Sequence, residues 1–375
     1  MKKEKIVVGL SGGVDSSVAA YLLKKEGYEV IGVTMVHFRG ENSAENGDRI
    51  AADAEEVAKF LGIEHHVVDI CAEFKEHVID YFIKEYLSGR TPNPCVVCNR
   101  FIKWKAIMEQ GEKLGARLLA TGHYARVEQL ANGRYAVKCS VTAAKDQTYA
   151  LYGLTQEQLS GTRMPLGAYT KDEIRAIAAE IGLPVADKPD SMEICFIPDK
   201  DYAGFIERHT DAAILKGNYV NTSGEILGRH EGIIHYTIGQ RKGLKLAMGH
   251  PVFVTELRPK TNEVVIGENE DILMPMLKCS RLNAMSVPEF VTGMEVTAKI
   301  RYNHKGAPAV LERIGEDELL VKFREPQRAI TPGQAVVFYR DGYVAGGGLI
   351  DKAVKDCNQP AESAAEPVRT AGSLQ

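Results

Sequence analysis

Through the first 180 residues, short apolar runs alternate with longer stretches that are apolar on one side only. "KIVVGL" from Lys5 reads as a strand, and the next helix is predicted from about Asp15 to Glu26, with Val18, Leu22 and Leu23 on one side. Then come "YEVIGVTM" (strand), "DRIAADAEEVAKFLG" (helix), "EHHVVDI" (strand) and "AEFKEHVIDYFIKEYLSG" (helix). After "RTPNPCVVCN" a helix "RFIKWKAIMEQGEKLG" leads into the strand "ARLLATGHYA". Strands alternating with helices of ~10–15 residues predict an α/β fold, a doubly wound parallel sheet covered on both faces. Ligands of such sheets bind at the carboxyl ends of the strands. The turns Ser11–Ser17, Met35 and Thr121–His123 all follow predicted strands, which places them along one crevice.

An Asn-Gly turn in "RVEQLANGRYAVKCS" predicts an inserted hairpin. Two further helices are predicted near Asp146–Leu159 and Lys171–Ile181. From about Asp201 the texture changes to short β runs broken by Gly, Pro, Asn and Asp: "GIIHYTI", "PVFVTEL", "EVVIG", "EVTAKIRY", "AVLERI", "LLVKF" and "AVVFYR". That pattern predicts small barrels or sandwiches. The expected division is an α/β domain over 1–204, β-rich domains over 205–280 and 281–357, and a disordered tail over 358–375 that lacks aromatics.

Composition narrows the class. The 375 residues are 45% hydrophobic and 26% charged. No window approaches the ~18 apolar residues of a membrane span. The first apolar run enters a glycine turn and not a cleavage site, so the expected compartment is the cytoplasm, with no membrane partner. A net charge of −4 excludes a global basic field, so any nucleic-acid surface must be local. One segment qualifies: Cys98 to Lys138 holds eight Lys/Arg against three Glu, which is otherwise an ordinary solvated helix face. Seven cysteines in a chain of this length do not make a disulfide scaffold.

"LSGGVDSS" follows the first strand where a phosphate loop would stand, without that loop's lysine. Gly12 and Gly13 let backbone amides form a concave nest, Ser11, Ser16 and Ser17 add hydroxyls, and a helix N-terminus follows. Asp15 is a hard oxygen ligand suited to Mg²⁺. Such a loop suits cleavage between the α and β phosphates of ATP. It resembles the PP-loop of the ATP pyrophosphatase superfamily. That resemblance implies nucleotide contacts at Gly9, Leu10, Ser11, Gly12, Gly13, Val14, Asp15, Ser16, Met35 and Gly122, with Asp15 reaching Mg²⁺ together with the phosphates.

Longer motifs select within the superfamily. "TPNPCVVCNRFIKW", "ATGHYAR", "AAKDQTYALYGL", "DSMEICFIPDKDY", "HYTIGQRKGL" and "RYNH…TPGQAVVFY" occur in order along the chain. Together they resemble the tRNA-specific 2-thiouridylase family, the MnmA type. The resemblance implies a sulfurtransferase that adenylates a wobble uridine of tRNA and replaces its C2 oxygen with sulfur from a protein donor. It makes Cys98 the nucleophile and Cys195 the persulfide carrier. It places Asn93, Pro94, Cys95, His123, Lys145, Asp146, Gln147, Arg301, Tyr302 and Gln334 at the tRNA.

The cysteines can also be read from their surroundings. Thiol chemistry needs thiolates, and Cys98 directly precedes the predicted helix bearing Arg100, Lys103 and Lys105, where the dipole and cations would lower its pKa. Cys195 lies in a loop-like stretch where a donor protein could reach it. Cys71, Cys139, Cys279 and Cys357 read as small buried hydrophobes. Cys95 forms a CxxC pair with Cys98, and the family often carries aspartate at this position, so an acid/base role does not transfer to it. Cys95 is expected to lie farther from the dipole than Cys98 and to shape the base pocket. A cluster held by Cys95, Cys98 and Cys195 stays open as an alternative. Two other functions stay open as well: an amide-forming synthetase of the superfamily, and a non-catalytic RNA-binding or iron–sulfur protein.

Overall fold

A computed structural model of the chain describes residues 3–39, 47–189 and 194–355. The expected tail, Cys357 and residues 190–193 of the "DSMEICFIPDKDY" motif lie outside the described residues. The first half contributes β1 (Lys5–Gly9), β2 (Glu29–Val36), β3 (Glu64–Asp69), β4 (Leu118–Ala120), hairpin strands β5 (Arg126–Gln129) and β6 (Tyr135–Lys138), and β7 (Thr162–Arg163). Strands β3-β2-β1-β4-β7 form one parallel sheet, with Ile6 beside Val30 on one side and Leu118 on the other.

Period two explains why the sheet is covered twice. Ile6 and Val8 of β1 pack with Val18, Leu22 and Leu23 of helix α1 (Val14–Lys25), and with Ile174 and Ala178 of the helix Lys171–Glu180. Val7, between them in sequence, packs on the opposite face with Trp104 and Ile107. Alternate side chains point to opposite faces, so an all-apolar strand needs helices on both. β1 is also where the strand order reverses: β2 and β3 lie to one side, β4 and β7 to the other. The crevice at such a switch point is where this architecture binds ligands.

Three helical expectations change. The helix expected from Arg100 begins at Pro94, because Asn93 caps it and accepts from the Val96 amide at 3.3 Å. Asn followed by Pro at the first helical position is a helix start, not a loop. This run is α-helical over Pro94–Val97, π-helical over Cys98–Lys103, and α-helical again over Trp104–Lys113. A second π segment, Lys75–Ile79, interrupts the helical run that begins at Cys71. The helix expected over Asp146–Leu159 breaks into a 3-10 turn, Thr148–Leu151, and a short helix, Gln156–Ser160, started by a capping box on Thr155. Thr155 and Gln158 offer the backbone a fresh start after Gly153.

The second half is β-rich. β8 (Gly217–Asn221), β9 (Ile226–His230), β10 (Phe253–Arg258) and β11 (Glu263–Gly267) form a four-stranded sheet. β12 (Leu273–Ala284), β13 (Glu295–Lys299), β14 (Ala307–Gly315), β15 (Glu318–Arg328), β16 (Ala335–Arg340) and β17 (Tyr343–Val354) form a barrel closed by β12 pairing with both β15 and β17. β12 runs through the boundary expected at 280 and belongs with the barrel. "GIIHYTI", expected as a strand, contains only a 3-10 turn, Ile233–His235. The inserted hairpin forms as expected but extends the barrel sheet, through Lys138 beside Tyr343. Among the described residues, no helix is long and apolar enough to cross a membrane.

Candidate active site at the sheet switch point

The glycine loop leaves β1 and enters α1 with its geometry already fixed. Leu10 is buried, its amide donating to Val33 O at 2.8 Å and its carbonyl accepting from Thr34 Oγ1 at 2.8 Å. His65 bonds the same Thr34 hydroxyl at 2.8 Å, so this histidine of β3 begins a relay that steadies the loop, while His66 bonds Glu64. Gly12 has φ +64°, and a Cβ there would stand 2.7 Å from Asp53 Cβ. The Ser16 hydroxyl meets the Ser11 amide and hydroxyl, each at 3.1 Å, and Ser17 Oγ donates to Gly13 O at 2.7 Å. Gly13 caps α1 without a side-chain bond, so no side-chain cap occupies the first amides of the helix. That combination fits an anion.

Two cations missed in the sequence converge on this loop. Lys171, the first residue of its helix, donates to Asp15 Oδ1 at 2.7 Å, and the same oxygen accepts from Tyr124 OH at 2.7 Å. Lys188 donates to Gly12 O at 2.9 Å and pairs with Asp53. Neither lysine lies in a sequence pattern that marks a ligand; a capped helix start and a proline-rich stretch are ordinary surroundings. Asp15 therefore keeps one carboxylate oxygen, Oδ2, that takes no hydrogen bond from the described residues. It fits magnesium as a single-oxygen ligand, which is how this ion is held when phosphates supply other positions.

Gly122 closes the crevice from the β4 side. A Cβ there would lie 2.7 Å from Ser16 N and 2.9 Å from the Asp15 carbonyl carbon, so the two turns touch backbone to backbone. Gly9 is similarly tight against Ile107 Cδ1 at 3.0 Å. Val14 is buried in the α1 core, and Met35 is half-buried at the end of β2. The expected nucleotide residues thus surround one switch-point crevice, with Leu10 and Val14 able to offer only backbone.

His123 follows Gly122 and leads to the cysteines. Its ring lies 5.5 Å from that of Trp104, and its Nδ1 bonds Thr121 Oγ1 at 2.8 Å. Burial and the charge of Lys103 hold its pKa well below the usual histidine value. Lys103 also acts on Cys95, Cys98 and Cys195, and Cys195 feels both other thiols. Cys195 therefore lies within electrostatic range of cysteines about a hundred positions away in the chain. Phe196 and Ile197 anchor Cys195 by burial among Phe74, Phe82 and Phe205, while the thiol itself stays at the surface of a crowded crevice.

The electrostatics differ from the sequence expectation. Cys98 lies inside a helical run, not ahead of one, and Cys95 occupies the first turn. The dipole therefore favours Cys95 over Cys98, the reverse of the reading that the helix starts at Arg100. Desolvation by the surrounding protein is the largest influence on all three thiols, including the solvent-accessible Cys95 and Cys195, and pushes each of them up; Lys103 alone among the cations pulls all three down. Cys98 has a second opposing influence in the Lys103 backbone amide. The described cysteines are all free thiols, with Cys279 fully buried and Cys71 and Cys139 half-buried. Among the described residues, no three His, Cys, Asp or Glu come together to hold a metal ion.

The residues expected at RNA come from three parts of the fold. The Thr91–Pro94 loop is gripped on both sides: Gln334 Nε2 donates to Thr91 O at 2.9 Å, Thr91 N donates to Pro332 O at 2.9 Å, and Thr91 Oγ1 meets Thr237 Oγ1 at 3.3 Å. Gly333, with φ +92°, lies so close that a Cβ would stand 2.9 Å from Thr91 N. Tyr302, exposed on the barrel, faces Cys95 and Asp146 and meets Tyr149 edge-on at 6.1 Å. Arg301 donates to Arg328 O at 3.1 Å. Asp146 accepts from the Ser140 and Thr148 amides, and Gln147 Oε1 accepts from the Tyr124 amide at 2.9 Å. Asp146, Gln147 and Gln334 thus use polar atoms to build the loops, with Lys145 in the same turn. The basic segment 98–138 is not one face: Arg134 bonds Met285 and Ala284 carbonyls, Lys138 pairs with Glu128, and Arg126 bonds Cys139 O.

Comparison with known proteins agrees with this layout. The models described as tRNA methyl transferase HUP domain, tRNA methyl transferase PRC-barrel domain and aminomethyltransferase beta-barrel domain match residues 4–199, 203–268 and 276–350. The chain is 58% identical over 356 residues to the tRNA-specific 2-thiouridylase MnmA of Lachnoclostridium phytofermentans, covering 93% of this chain and 100% of that protein. The chain belongs to the MnmA family. The family member of Clostridioides difficile is 48% identical over 357 residues, covering 94% of this chain and 99% of that protein. Among solved structures, a 4-thiouridine synthetase–RNA complex with bound ATP aligns at 21% identity and a TM-score of 0.37, over 55% of this chain and 50% of that one. Family membership thus spans the sheet, the four-stranded unit and the barrel together.

Proposed function

We propose that the chain catalyses ATP-dependent 2-thiolation of the wobble uridine of tRNA. One observation supports this reading: the segments bearing Cys98 and Cys195 pack into one hydrophobic cluster, with Cys95, Lys103 and His123 in electrostatic range, and the Gly122 turn that precedes His123 touches the glycine loop. Membership of a family whose named relatives are tRNA-specific 2-thiouridylases supports the substrate.

In this reading the amides and hydroxyls of Ser11 to Ser17 hold the ATP phosphates, and Lys171 and Lys188 add charge beside them. Asp15 Oδ2 would hold magnesium, whose charge eases departure of pyrophosphate. The C2 oxygen of the uridine attacks the α-phosphorus, pyrophosphate leaves, and the C2–O bond now carries AMP, a far better leaving group than oxide. Sulfur from a Cys195 persulfide then bonds to C2 as AMP departs. Attack of the Cys98 thiolate on the Cys195 sulfur breaks the S–S bond to the transferred atom and leaves a Cys98–Cys195 disulfide. A thiol reductant outside the chain reopens it, and a sulfur-donor protein reloads Cys195. In the same reading Tyr302 stacks on RNA, Arg301 and Lys145 meet phosphate, and Asn93, Pro94 and Cys95 border the uridine.

An amide-forming synthetase would have no use for paired cysteines from distant segments. The deciding experiment incubates the chain with ATP, Mg²⁺, a persulfide donor and unmodified tRNA, followed by nucleoside mass spectrometry. A 2-thiouridine product that depends on ATP supports the reading. AMP formation with a small acid in place of tRNA would replace it with the synthetase reading, and an iron chromophore without turnover would replace it with an iron–sulfur role.

A further inference from the structure

The helical run that carries Cys95 and Cys98 changes its winding at the second thiol. Cys98–Lys103 is π-helical, between α-helical segments on either side. At 3.6 residues per turn an α-helix would set Lys103 roughly 140° round the axis from Cys98. An i→i+5 winding instead stacks the fifth residue back over the first, and such turns recur at functional sites. The π segment therefore returns Lys103 to the face of Cys98, where its charge and its backbone amide both favour the thiolate.

The surroundings of Lys103 are unusual for a lysine. It is half-buried, and no carboxylate among the described residues pairs with it; its neighbour Lys105, in contrast, is exposed and reaches Glu109 at 3.9 Å. The groups facing its charge are Cys95 and Cys98 on its own helix, Cys195 from the anchored stretch, His123 after β4 and His37 after β2. Both histidines are held below their ordinary pKa by burial, with Lys103 adding to the effect, so neither supplies an anion. Tyr302, whose hydroxyl is itself pushed up by burial, faces Cys95 from the barrel. An ammonium that pairs with no carboxylate among the described residues is favoured by a negative charge nearby, and among the described groups facing it the thiols can provide one.

We propose that Lys103 is the positioning residue that stabilises thiolates in the Cys95–Cys98–Cys195 crevice, Cys98 above all, and that the π turn exists to aim it there. This deepens the thiolation reading, yet it can be tested without RNA or ATP. The rate of iodoacetamide alkylation of each cysteine is measured against pH on the full chain, by peptide mass spectrometry. Lys103→Met should raise the Cys98 midpoint by about one pH unit, so alkylation below the midpoint slows about tenfold. Lys103→Arg should restore the rate to within about threefold, and Lys105→Met should leave the profile unchanged. Lys103→Gln, which keeps a polar head, covers the case in which the methionine variant melts early. A wild-type Cys98 midpoint in a folded Lys103→Met or Lys103→Gln variant overturns the proposal, all the more if tRNA affinity and its salt dependence fall, which would make Lys103 a phosphate contact. A normal lysine effect in a chain that makes no 2-thiouridine would sink the thiolation reading and leave this one standing.

Discussion

Gly122 gives the sharpest test of how the crevice is built. In Gly122→Ala the new methyl would stand 2.7 Å from Ser16 N, 2.9 Å from the Asp15 carbonyl carbon and 3.0 Å from Ser16 Cα. All three are backbone atoms of the first turn of α1, so no flexible side chain can give way. Restoring an ordinary 3.4 Å contact from 2.7 Å requires the two turns to part by at least ~0.7 Å. Overpacking of this kind costs about 1–3 kcal/mol, read as a lower urea midpoint. The parting also moves the helix amides and Asp15 relative to the β4 turn. Misplacement near 1 Å costs on the order of a hundredfold in rate, so tRNA-dependent AMP formation should fall about 10- to 100-fold. Gly13→Ala is the matched control: its φ is −107°, and the nearest atom to a new Cβ is Ser11 Oγ at 3.4 Å. It should keep its midpoint and lose only a few-fold in rate. Equal damage in both variants, or none in Gly122→Ala, would refute this account of the crevice.

Asp15→Ala should abolish AMP formation and also destabilise the fold by about 1–3 kcal/mol, because the buried Tyr124 hydroxyl loses its acceptor. Asp15→Asn keeps that acceptor and should recover the urea midpoint but not the activity; recovery of both would remove the carboxylate from the chemistry. Cys195→Ser should still release AMP with tRNA yet transfer no sulfur, and Cys98→Ser should make no 2-thiouridine. Cys95→Ser should retain substantial thiolation, since only Cys98 has both the Lys103 charge and its amide; complete loss in Cys95→Ser would end that division of labour. His123 is held neutral in the fold, whereas in the unfolded chain it takes its proton near pH 6.5. The unfolded state then binds more protons below that pH, so this part of the stability is present above it and lost on acidification. The fall in urea midpoint from pH 7.5 to 5.5 should be smaller in His123→Gln than in the wild type, and an equal fall would show the imidazole to be accessible in the fold.

The sequence by itself determined the elements whose local pattern admits one reading. Unbroken apolar strands require two covering layers, so β1 with Ile6, Val7 and Val8 predicts the doubly wound sheet without coordinates. The glycine–serine turn between that strand and α1 has a chemistry readable from residue types, and the Asn-Gly hairpin is legible for the same reason. What needed the tertiary structure is every relation between segments that the chain does not order. Nothing local joins the inserted hairpin to the barrel, since strand pairing is a property of two edges. Nor does anything local mark Lys171 and Lys188 as partners of the glycine loop, because a lysine's role is set by the carboxylate or carbonyl it meets. The helix start at Pro94 was written in Asn93 and Pro94 but was masked by the loop-like "TPNP" before it. The π winding that turns Lys103 toward Cys98 has no periodicity of its own to betray it, because α and π turns share residue preferences and packing chooses between them. Cys98 and Cys195 are the thiols of the proposed chemistry, and it is the aromatic anchor of Phe196 among Phe74, Phe82 and Phe205 that brings their two segments into one cluster.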